Sequence, residues 1–160
     1  MSHWSDLYAG ELDAIRHHLE AGGGESQDRR VARHATLPGI LPDQTGESAA
    51  SPDLLTEIAC AVAQAPALRF ADAIVESLEL ADGDVDSGAH VMAPAWVDLF
   101  ASLDAPRVAD VARRWIAEWD PGAAGDPETA ARVGDLVSSI VAVCQAARVD
   151  GCAVVYCWTL

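Results

Sequence analysis

The segment Asp82-Gly83-Asp84-Val85-Asp86-Ser87-Gly88-Ala89-His90 carries the densest set of groups able to do chemistry: carboxylates at alternate positions, then an imidazole. Alternate carboxylates in a glycine-bearing loop open a calcium-binding helix–loop–helix, which also needs glycine at its sixth position and a bidentate glutamate at its twelfth. Counted from Asp82 those positions hold Ser87 and Ala93, so that loop type is excluded. Asp84, Asp86 and His90 remain as a looser candidate metal site, because carboxylate oxygens and an imidazole suit zinc or manganese. The plainer reading of the same residues is a solvated acidic loop.

A second candidate is basic. Arg29, Arg30, Arg33 and His34 form an island of positive charge in an acidic chain. Guanidinium forks in an irregular segment could hold a phosphate or carboxylate ligand, and pairing with the protein's own carboxylates is the competing account. No G-x-S-x-G elbow occurs, and the order Ser87-Gly88-Ala89-His90 does not by itself make a triad. Cys144 falls inside an apolar helical stripe and reads as a small core hydrophobe, whereas Cys60 lies opposite Leu54, Ile58 and Val62 on a helical wheel. The cysteines form no C-x-x-C pair, and Cys152 and Cys157 would face opposite sides of a strand. His17 and His18 close a helix at the end its dipole makes favourable for positive charge, and they read as surface residues. The sequence therefore names no catalytic residue and implies no cofactor.

The elements that must position these groups are mostly helical. Pro52, Pro66, Pro94, Pro106 and Pro127 sit where helices begin, with Ser51, Asp104 and Asp126 as N-caps. Apolar residues then recur at helical spacing in six runs. They are Tyr8 to Leu19, Leu54 to Val62, Leu68 to Leu78, Trp96 to Leu103, Val108 to Trp119, and a long sixth from Pro127 to about Arg148, closed by Gly151. Trp96, Trp115 and Trp119 have core spacing; any that proved exposed would be an interface anchor.

Gly151 to Trp158 is apolar on both alternating faces and reads as a buried strand. Its backbone needs a partner: Val85 to Ala93, the N-terminus around His3 to Leu7, or the same strand of a second subunit, with an intramolecular partner preferred. The expectation is a single, mainly α domain over residues 1–160, with about six helices, one buried C-terminal strand and a long irregular segment at 22–50. The alternative is an α+β domain with a small two- or three-stranded sheet.

Composition narrows the function. The 160 residues include no lysine, so Schiff-base, phosphate-loop and general-base lysine chemistry is excluded. The absence of lysine and asparagine beside abundant alanine, aspartate, valine and glycine is the codon bias of a GC-rich bacterial genome. A net charge of −15 repels phosphate backbones and anionic bilayers and favours a basic protein partner. The N-terminus lacks a cationic start and an apolar signal core, and no window reaches the ~20 apolar residues of a membrane helix. These features lead to an acidic, cytoplasmic protein-interaction module of adaptor, immunity, antitoxin or regulatory type, with no nucleic-acid or membrane partner. The rival is an enzyme or small-ligand-binding protein with a dispersed Asp/His/Arg site; a third reading is a structural subunit of a larger assembly whose C-terminal strand completes a neighbour's sheet, and a homo-oligomer is compatible with each.

Overall fold

The computed structural model describes residues 4–21, 51–65, 68–78 and 87–159. Its architecture is mixed α+β. The four described strands, β1 (Trp4–Gly10), β2 (Ile74–Leu78), β3 (Ser87–Met92) and β4 (Ala153–Thr159), form an antiparallel sheet in the order β1-β4-β3-β2. The described helices are α1 (Leu12–Ala21), α2 (Pro52–Ala63), α3 (Pro94–Ala101), α4 (Ala105–Trp119) and α5 (Pro127–Asp150). A 3₁₀ turn at Phe70–Ala73 leads directly into β2.

α2, α4 and α5 start on side-chain caps, and α3 starts on Pro94 without one. Ser51 Oγ accepts from the Leu54 amide at 3.1 Å, Asp104 from Arg107 at 3.0 Å, and Asp126 from both Glu128 and Thr129 at 3.2 Å. These are N-cap bonds to otherwise orphaned amides, with proline fixing the first turn. α5 ends at Gly151, whose φ of 65° is a left-handed conformation that glycine adopts without a Cβ penalty. Ends of α2 and α3 are closed by other helices: Arg114 Nη1 donates to Ala61 O at 2.7 Å, and Arg148 Nη2 to Ala101 O at 3.0 Å.

The C-terminal strand is central, not terminal, in the sheet. β4 pairs with β1 from Trp4↔Thr159 to Gly10↔Ala153, and with β3 from Ser87↔Thr159 to Val91↔Val155. Both intramolecular partners expected from the sequence are thus used at once. Alternation then divides the residues between two faces. Tyr8, Ala89, Val91, Val155 and Cys157 pack under α1 with Ile15 and Leu19, while Leu7, Ala9, Met92, Val154 and Tyr156 meet the core of α2 to α5. Arg16 of α1 pairs with Glu76 of β2, tying the thinner layer to the sheet.

Four expectations need correction. A mainly α fold with one strand understates the sheet, and the smaller α+β alternative is still a strand short. The expected helix over Leu68, Ala71, Ile74, Val75 and Leu78 is a 3₁₀ turn and a strand, because the free edge of β3 needs hydrogen-bond partners and β-branched Ile74 and Val75 suit that role. Tyr8 belongs to β1, opposite Val155, and the first helix begins after it. α5 follows its expected span, with Val137, Ile140 and Cys144 fully buried. Contrary to the sequence-based expectation, α5 is also long and apolar enough to cross a bilayer; here that apolar side is core.

Candidate functional site

Strand register builds a polar cluster that residue spacing did not reveal. Ser77 of β2 lies opposite His90 of β3, His90 lies opposite Tyr156 of β4, and Gly88 lies opposite Trp158. Opposed residues share a face, so these side chains converge. Ser77 Oγ is 3.1 Å from His90 Nδ1, and Trp158 Nε1 donates to His90 Nε2 over a long 3.4 Å. Phe70 stands edge-to-face against both His90 and Tyr156, with centroids 5.6 and 5.7 Å apart. Gly88 makes the arrangement fit, since a Cβ there would lie 2.8 Å from Trp158 Nε1 and 3.0 Å from His90 Nε2.

The hydrogen-bond directions limit the chemistry. An indole N–H only donates, so Nε2 accepts, the ring proton sits on Nδ1, and Ser77 Oγ receives it. A nucleophilic serine needs the opposite direction, with imidazole taking its proton. Burial holds the His90 pKa below the ordinary histidine value, so the ring is neutral at pH 7. Burial likewise pushes the Tyr156 phenol upward, outweighing a hydrogen bond with Ser5 that favours ionisation. This cluster orders the sheet edge and does not activate a nucleophile.

On the other side of Phe70 lies a pocket of about 200 Å³ between α2, the 3₁₀ segment and α3. Its walls are mainly apolar, with Ala59, Phe70, Trp96 and Leu99 prominent, and its polar lining comes from Thr56, Arg69 and Asp72. Arg69 forms a fork with Asp72, Nε to Oδ2 at 3.1 Å and Nη2 to Oδ1 at 3.0 Å. That guanidinium keeps the Asp72 carboxyl below its ordinary pKa and hence ionised. A wider depression of about 320 Å³ where α4 passes into α5 is lined by Arg113, Ile116 and Asp126, but Asp126 is already engaged as a cap.

No family model, curated protein or solved structure matches this chain.

Of the candidate metal ligands, Asp84 and Asp86 lie outside the described residues, as do Arg29, Arg30, Arg33 and His34 of the candidate anion site. His90 is described, and both its ring nitrogens are hydrogen-bonded within the sheet. Among the described residues no group of His, Cys, Asp or Glu side chains is arranged to hold a metal ion. His18 is buried, with Tyr8 edge-on at 6.0 Å, which corrects the expectation that it lies on the surface; α1 presses this face onto the sheet. Cys144 is core as its spacing implied, and burial pushes its thiol pKa up to about 12, leaving no thiolate at neutral pH. Cys60 is also buried, its thiol directed at Leu68 O over 3.9 Å.

Trp96 is buried, while Trp115, Trp119 and Trp158 are partly covered, Trp115 donating to Glu57 at 3.0 Å. Sequence spacing did not single out Phe70, Arg69 or Asp72. Their relation to α2 and α3 follows from the 3₁₀ turn, and only the Arg-x-x-Asp spacing hinted at the fork.

Proposed function

We propose that this protein is a binding protein whose ligand is a small molecule with an apolar body, held in the pocket between α2, Phe70 and α3. The observation that carries this reading is the pocket itself: about 200 Å³, apolar along its walls and polar where Arg69 and Asp72 meet solvent. A roughly 150 Å³ apolar cavity takes a benzene molecule, so this volume suits one ring or a short branched chain with a polar end outward. Small-molecule binding to the full chain, followed by NMR shifts at Trp96 and Leu99, tests it. Ala63→Phe and Ala95→Phe fill the pocket from exposed positions and should abolish those shifts without lowering the melting temperature. Unchanged shifts in both folded variants would remove the pocket from consideration.

A second reading is the acidic interaction module expected from composition, capturing a basic protein as an adaptor, a neutraliser of immunity or antitoxin type, or a regulator would. It is favoured by how the arginines are used: Arg107, Arg114 and Arg148 donate to backbone carbonyls, leaving carboxylates such as Asp53, Asp98, Asp135 and Asp150 exposed. Pull-down at low and high salt tests it, and recovery of no protein at either would end it.

A further inference from the structure

We infer that the pocket selects a cation: a small ring or branched alkyl group ending in a primary ammonium, with the ammonium at Asp72 and Thr56. The inference rests on the pocket being a ligand site at all, as proposed above. Its grounds are the hydrogen-bonding groups left over at the mouth. Thr56 Oγ1 already donates to Pro52 O at 2.8 Å, so toward the pocket it offers only acceptor lone pairs. Each Asp72 oxygen takes one N–H from Arg69, whereas a carboxylate has about four acceptor sites in all, so acceptors remain on both oxygens.

The same fork uses two of the five N–H donors of Arg69 and offsets its charge, so an incoming carboxylate meets a guanidinium whose charge Asp72 already balances. The whole-chain charge of −15 acts in the same direction, raising the local concentration of cations and lowering that of anions. Phe70 and Trp96 supply aromatic walls for the apolar body, and an ammonium near an aromatic face gains further attraction.

The test uses three probes with one ring and different ends: benzylamine, benzyl alcohol and benzoate, titrated into the full chain at low and at high salt. Benzylamine should bind about tenfold or more tightly than benzoate at low salt, with benzyl alcohol between them and the spread narrowing as salt rises. Asp72→Asn removes the charge that offsets Arg69 and should reverse the order in favour of benzoate, while Thr56→Val should weaken benzylamine and spare benzoate. Equal or tighter binding of benzoate to the unaltered chain, or an order that Asp72→Asn leaves unchanged, overturns the choice of a cation but not the pocket. Binding by none of the three overturns the pocket reading and this inference together.

Discussion

A chain ending at Asp150 should not fold. β4 is the only described strand that contacts β1, and it covers one edge of β3, so its removal divides the sheet. Val154, Val155 and Tyr156 are each no more than 1% exposed. Burying such side chains contributes about 1.5–3 kcal/mol each, or about 5–9 kcal/mol together, an upper estimate because unfolded chains are partly compact. A typical domain has only ~5–15 kcal/mol in total, before any loss of sheet hydrogen bonds. Thermal and urea melts of the truncated and intact chains, followed by circular dichroism, provide the assay. The truncated chain should show no cooperative transition or should be insoluble. Val155→Ala, which removes two methyl groups between α1 and the sheet, should instead fold and lose about 2–3 kcal/mol. A truncated chain with an unchanged cooperative transition, or a Val155→Ala change near zero, would refute the central placement of β4.

Ile140→Ala should cost about 2–5 kcal/mol in urea unfolding through the cavity left beneath α5, whereas Val149→Ala, at a position 83% exposed, should stay within about 0.5 kcal/mol. Gly88→Ala should destabilise by about 1–3 kcal/mol and alter Trp158 fluorescence, because its Cβ displaces the indole from His90. His90 has a folded pKa below its unfolded value of 6.5, so its contribution to stability is complete above 6.5 and falls as pH drops from there toward the folded pKa. His90→Gln should flatten that part of the pH–stability curve; an unchanged slope would show that burial of His90 is not its cause. Gln64 holds a φ of 54° at the end of α2, and Gln64→Gly should raise the melting temperature by relieving that left-handed strain.

The starts of α2 to α5 and the end of α5 were legible in the chain because their causes are local. Ser51, Asp104 and Asp126 bond amides two or three residues away, Pro52, Pro94, Pro106 and Pro127 fix a first-turn dihedral, and Gly151 accepts a left-handed φ; none needs a distant partner. The burial of one face of α5 and of Val154 to Cys157 was legible for a related reason, since an apolar helical stripe or an unbroken apolar run must leave water wherever the fold puts it. Tertiary structure decided the rest. Ala71, Ile74, Val75 and Leu78 satisfy a helical period, and only the unpaired edge of β3 made Ile74 to Leu78 a strand. His90 could be named from its chemistry, but Ser77 and Trp158 reach it through register across two strand pairs, and cross-strand register has no signature in local spacing. The pocket depends on still more, because Thr56, Asp72 and Trp96 lie on three separate elements and meet only when α2 and α3 pack on the same face of the sheet.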